Sequence, residues 1–226
     1  MIKMTLHEFE DLFFKQSCVD TQKYDEQYFE GDWREKPMSY SLDDRREIEG
    51  KNPINIIETL KPCDAVDIGC GPGALISLLA EKGFESCLGV DISQEAKNMA
   101  EDSVKQKIHI APAWATSFED KKFDLVVCRE VLEHLTVRQI FRTVREMCRI
   151  SKDKVYVTTR FHPNPKSVYD VTTEFDVDPT HISCMNIEML RLFFVLNGFK
   201  RDCDLEQKMD WLDKKRVLVY RMCFDD

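Results

Sequence analysis

Asp67 and Asp91 each close an apolar run, and three glycines follow the first: Val66-Asp-Ile-Gly-Cys-Gly-Pro-Gly73, then Leu88-Gly-Val-Asp-Ile-Ser93. Glycine at 69, 71 and 73 lets the backbone approach a ligand where a Cβ would collide or forbid the turn. A carboxylate at Asp91, on the tip of the neighbouring strand, can accept two hydrogen bonds from a ribose diol. Farther on, Glu130-Val-Leu-Glu133-His134 spaces two acids and a histidine for one side of a helical turn, and His181 follows in Asp178-Pro-Thr-His181. Glu130, Glu133, His134 and His181 could form a two-carboxylate, two-histidine metal set. Without an ion, the same side chains are candidate proton acceptors.

The elements that must position these residues alternate from residue 63 onward. Strands are expected at 64–68, 86–91, 107–111, 123–128 and 154–159, and helices at 73–82, 93–104 and 136–149. A further helix at 187–197 has Asn186 as N-cap and Gly198 past its end, and strands at 199–206 and 216–223 close the series. The pattern predicts an α/β fold over residues 51–226: a Rossmann-like, doubly wound, seven-stranded, mostly parallel sheet whose last strand is antiparallel. Residues 1–50 are expected to form an N-terminal helical lid on the substrate side. Thr5-Leu-His-Glu8 reads as a capping box opening a helix, and a second helix is expected at 43–60. Between them Tyr24, Tyr28, Trp33 and Tyr40 form an aromatic segment too irregular for a core helix. The loop 160–180, with three prolines, follows the fifth strand and should overhang the same pocket.

Composition narrows the setting. The chain has 226 residues, 43% of them hydrophobic and 32% charged, which suits one soluble domain. Its net charge of −9 disfavours a general nucleic-acid binder, and Arg45-Arg46, Lys121-Lys122 and Lys214-Lys215-Arg216 read as solvated surface. The sequence has no apolar run long enough for a membrane span and no apolar signal core at its start. Nine cysteines without a Cys-x-x-Cys pair read as reduced thiols, so a cytoplasmic setting is expected.

Gly69-Cys-Gly-Pro-Gly-Ala74 also satisfies the loose dinucleotide fingerprint. Three features oppose a nicotinamide cofactor. Asp67 would repel a pyrophosphate, Pro72 removes a backbone donor, and the last two strands suit a hairpin closing the sheet edge. A nucleoside with a cationic amino-acid tail fits better. Val66–Gly73, Gly89-Val-Asp-Ile-Ser93 and Phe123-Asp-Leu-Val-Val-Cys-Arg-Glu-Val-Leu-Glu-His-Leu135 resemble the motifs of class I S-adenosylmethionine-dependent methyltransferases. The resemblance continues through Asn186–Phe199 and covers about residues 60–226. It implies S-adenosylmethionine as cofactor and S-adenosylhomocysteine as product. By position, Asp67, Gly69, Gly71 and Gly73 would line the methionine and ribose, Asp91 would bind the ribose hydroxyls, and Ile92 would pack on adenine. Cys128 and Arg129 would border the cofactor. Where many relatives place a Gly-Asp pair, this chain reads Ala111-Pro-Ala-Trp-Ala115, so adenine would be held by backbone at Ala113 or Trp114 and by apolar packing.

The activity this implies is methylation of a hydroxyl, on a sugar or small metabolite, with His134, His181 and Glu130 as candidate proton acceptors and no metal. His162 and Glu133 are further candidates. Tyr24, Tyr28, Trp33 and Tyr40 would stack on a small-molecule or glycan acceptor. Two alternatives stay open. Glu-x-x-Glu-His with a later histidine is similar to small-RNA 3′-terminal 2′-O-methyltransferases, which implies a metal-assisted RNA enzyme; Leu-Glu-His-Leu is also similar to metal-independent relatives. The altered Ala111-Pro112 stretch encourages a non-catalytic cofactor-binding scaffold.

Overall fold

Strands buried on both faces must be apolar nearly throughout, and the central strands are. The computed structural model describes residues 15–31, 39–161, 169–170, 178 and 180–223. β1 (Ala65–Ile68), β2 (Cys87–Asp91), β3 (Ile108–Ile110), β4 (Phe123–Arg129) and β5 (Ser151–Thr158) are joined in parallel. β6 (Tyr169–Asp170) and β7 (Cys184–Met185) pair with each other, apart from the main sheet. β9 (Val217–Met222) runs antiparallel to both β5 and β8 (Phe199–Arg201). The sheet order is β3-β2-β1-β4-β5-β9-β8, seven strands with one reversed, as the sequence predicts.

Strand alternation sorts the core into two layers. Val66, Ile68, Val126 and Cys128 face Ile140, Val144 and Met147 of the helix Val137–Ile150. Ala65, Leu125 and Val127 face Ile56, Leu60, Ile76 and Leu79. Thr136 and Gln139 form a capping box on Val137–Ile150, and Ser93 caps Gln94–Met99 by accepting from the Ala96 N–H at 3.1 Å.

Several expected elements are shorter. The helix expected at 43–60 is Leu42–Glu49 and Asn52–Asn55 followed by a π turn, Ile56–Leu60. It breaks at Gly50, the helix C-cap with φ +47°, and the Trp211 indole packs there: a Cβ on Gly50 would lie 2.7 Å from Trp211 Cη2. The helix expected at 93–104 is split by extended backbone at Ala100. The strand expected at 199–206 stops at Arg201. Asp202 then accepts from the Leu205 N–H at 3.0 Å and starts a helix, Cys203–Met209.

Within the aromatic segment, Glu26–Glu30 is a short helix capped by Asp25, with Tyr28 and Phe29 buried against Ala96. The segment is fastened by the Ser93 hydroxyl, which donates to the Tyr24 carbonyl at 2.7 Å. Gln16 also fastens it, accepting from the Val137 N–H at 2.9 Å and donating to the Ile182 carbonyl at 3.2 Å. The helix expected after Thr5, Trp33 and most of the loop 160–180 lie outside the described residues. No helix among the described residues is long and apolar enough to cross a membrane.

Candidate functional site

The order of strands reverses beside β1, so the carboxyl ends of β1, β2 and β4 leave a crevice. It is a cavity of about 270 Å³ lined by Gly69, Gly71, Asp91, Ile92, Ala113 and Trp114, with Tyr24, Tyr28 and Tyr40 from the N-terminal segment. Gly69 has φ +74°, and a Cβ there would lie 2.3 Å from Cγ2 of Val131. The Gly71 N–H donates to Asp91 Oδ2 at 2.8 Å, and the Ser93 N–H donates to Oδ1 at 2.8 Å. Each oxygen keeps a further lone pair, enough for a vicinal diol. Burial raises Asp91 above the ordinary carboxylate range, against the pull of these N–H groups. Among the described residues the lining includes Asp91 and Glu130 and no lysine or arginine. Such walls repel a pyrophosphate and suit a sulfonium and an ammonium group.

Four expected cofactor residues lie off this cavity. Gly73 heads the helix Ala74–Glu81, and a Cβ there would sit 3.2 Å from both Val104 and Ile108, so its place is in helix–sheet packing. Cys128 is fully buried in the core. Arg129 is ion-paired with Glu49 and faces a second cavity. Asp67, on the Ala65 side of β1, is buried. Burial pushes its carboxyl up to about 7, the Glu49 and Asp91 charges add to this, and Arg129 pulls against it. The folded chain therefore keeps a proton that the unfolded chain releases, and stability is lost as pH rises from 3.8 to about 7. Asp67→Asn removes that loss. Its melting temperature should exceed wild type by more at pH 8 than at pH 5, the difference between the two gains being about 5 °C in scanning fluorimetry.

At the end of β4, Glu130 adopts φ +51°, a left-handed backbone that costs a non-glycine residue on the order of 1 kcal/mol. The helical face expected for Glu130, Glu133 and His134 does not form. Only Leu132–His134 make a single 3₁₀ turn, Glu133 is buried, and Glu130 and His134 line the cavity. Glu133 Oε2 accepts from Thr159 Oγ1 at 2.8 Å. Burial, then the Glu130 carboxylate, hold the Glu133 proton well above the ordinary range. The Glu133 carbonyl accepts from the N–H groups of Ile182 at 2.9 Å and Ser183 at 3.1 Å, which draws His181 against the turn. The His134 and His181 rings meet edge to face with centroids 4.5 Å apart. Ligand-type atoms of Glu133, His134 and His181 lie within 4.8 Å of one another; Glu130 is outside that group.

Two residues that sequence reasoning did not single out orient His134. Thr180 Oγ1 donates to Asp178 Oδ1 at 2.6 Å, and His134 Nδ1 lies 2.8 Å from the same hydroxyl. A hydroxyl has one proton. With that proton on the bond to Asp178, Thr180 must accept from His134 Nδ1–H, which puts the imidazole lone pair on Nε2.

The second cavity, of about 430 Å³, shares Tyr40, Glu130 and His134 with the first and also takes in His181. Its lining includes Arg45, Lys214 and Arg216, which the sequence suggests are solvated surface. The motifs that mark this region are Glu130–His134, at the shared wall, and Asp178-Pro-Thr-His181.

Residues 66–158 match the family described as "Methyltransferase domain". The chloroplastic tocopherol O-methyltransferase of Arabidopsis thaliana is 32% identical over 108 residues, 44% of this chain and 30% of that protein. The ubiquinone biosynthesis O-methyltransferase of Methylococcus capsulatus is 38% identical over 78 residues, 31% of this chain and 32% of that protein. The chain thus spans about a third of the length of these curated relatives. Among solved structures, a SAM-dependent methyltransferase from Archaeoglobus fulgidus superposes with a TM-score of 0.57 at 22% identity, covering 78% of this chain and 94% of that one. The matched segment, the sheet order and the glycine turn held by Asp91 identify residues 66–158 as a methyltransferase domain.

Proposed function

We propose that the protein methylates a hydroxyl of a small molecule, a sugar or another small metabolite. The observation that carries this reading is the single wall of Tyr40, Glu130 and His134 between a donor cavity without lysine or arginine and a second cavity beside it. S-Adenosylmethionine, when bound over the glycine turn, supplies an electrophilic methyl group. Displacement of this kind depends chiefly on positioning. Gly71 and Asp91 hold the ribose end, Ile92, Ala113 and Trp114 pack on the adenine, and Tyr24, Tyr28 and Tyr40 exclude water. His134 Nε2 takes the acceptor's proton while Thr180 and Asp178 fix the ring. Relatives named O-methyltransferases support oxygen as the acceptor atom, although relatives named N-methyltransferases also match, and the net charge of −9 weighs against RNA.

The convergence of Glu133, His134 and His181 favours a second reading, a divalent ion at this cluster. Mass spectrometry of sugar and phenol pools incubated with isotopically labelled S-adenosylmethionine separates the two. A labelled product that forms equally well with EDTA present is the expected result. Activity abolished by EDTA and restored by a divalent ion would overturn the metal-free reading, and label transfer to no pool member would overturn the acceptor class.

A further inference from the structure

The two cavities that meet at Tyr40, Glu130 and His134 carry opposite charge. The donor side has Asp91 and Glu130, whereas the second cavity gathers Arg45, Arg129, Arg160, Lys214 and Arg216 against Glu130, Asp178 and Asp210. In a chain of net charge −9 this is a local reversal of sign, and a concave surface of one sign concentrates ions of the other. The carboxylates there are already committed. Asp178 accepts from Thr180, and Asp210 accepts from the N–H groups of Lys214 at 3.1 Å and Lys215 at 2.8 Å. Glu130 lies 3.9 Å from Arg160 Nε, and Arg129 is matched by Glu49. Arg45, Lys214 and Arg216 make no ion pair among the described residues. The Arg45 guanidinium stacks 3.7 Å over the Tyr40 ring, an arrangement that leaves in-plane N–H donors for an anion. The Trp211 indole contributes an aromatic face to the same lining.

We propose that the second cavity is the acceptor's site, and that it selects a small acceptor bearing a carboxylate or a phosphate monoester. Arg45, Lys214 and Arg216 grip the anionic group, and the acceptor's hydroxyl reaches Glu130 and His134 at the shared wall. A guanidinium pair with an ammonium beside it suits either anion. The word acceptor rests on the methyltransferase reading above; the anion site itself rests on the cavity.

Calorimetric titration of the protein saturated with S-adenosylhomocysteine tests this, with inorganic phosphate in one arm and benzoate in the other. Saturable binding of one anion is expected, weakened by added salt. The arm that responds identifies the group. Arg45→Gln with Arg216→Gln should weaken that binding about tenfold while leaving S-adenosylhomocysteine affinity as in wild type. Lys214→Gln, on an exposed side chain, repeats the comparison should the double variant fail to fold. A protein that binds S-adenosylhomocysteine but neither anion, or variants that bind the anion undiminished, overturn the inference alone. A wild-type protein that does not bind S-adenosylhomocysteine overturns the methyltransferase reading instead.

Discussion

Asp91→Ala should lower affinity for S-adenosylhomocysteine by about 100-fold or more, the largest loss expected of any single substitution in the donor cavity. Its carboxylate accepts from the N–H groups of Gly71 and Ser93, and its remaining lone pairs face the cavity. Two charge-assisted hydrogen bonds to a ribose diol contribute about 1.5–3 kcal/mol each. The same substitution also releases the glycine turn, so some of the loss reflects a looser loop. Ser93→Ala separates the two effects. It removes the cap on Gln94–Met99 and the hydrogen bond to Tyr24, yet leaves the Asp91 carboxylate in place. It should melt earlier and still bind S-adenosylhomocysteine within a few-fold of wild type. Wild-type affinity in Asp91→Ala by calorimetry would remove the ribose assignment.

His134→Ala should cut turnover by roughly 100-fold or more, the range usual for loss of a positioned base. Binding of S-adenosylhomocysteine should change far less, because Asp91 and the glycine turn stay intact. Thr180→Val keeps the imidazole but deletes the oxygen that orders it, so a smaller loss, about tenfold, is expected. Equal losses in the two variants would mean that the ring's placement, not its lone pair, matters. Undiminished turnover in His134→Ala would assign proton removal elsewhere.

The sheet was legible because buried parallel strands are short apolar runs separated by helices, and β1, β2, β4 and the second half of β5 carry that signature. What stayed hidden depends on contacts distant in sequence. Gly50 ends a helix at positive φ, and the Trp211 indole that packs against it comes from the far end of the chain. Arg45 and Arg216 look like ordinary surface residues until the fold brings them to one cavity. Cys128 sits at the motif position expected to border the cofactor, but strand alternation turns its side chain into the core. The orientation of His134 depends on where the single proton of Thr180 goes, and no spacing rule encodes that.

Gln16 binds Val137 and Ile182, 121 and 166 positions away along the chain. Closing loops of that length costs entropy, so contacts of this kind form late in folding and open first. The aromatic roof over the donor cavity therefore belongs to a cooperative unit weaker than the sheet beneath it. Gln16→Ala should raise amide hydrogen exchange in Glu26–Glu30 while the amides of β1, β4 and β5 keep wild-type protection, as read by exchange mass spectrometry.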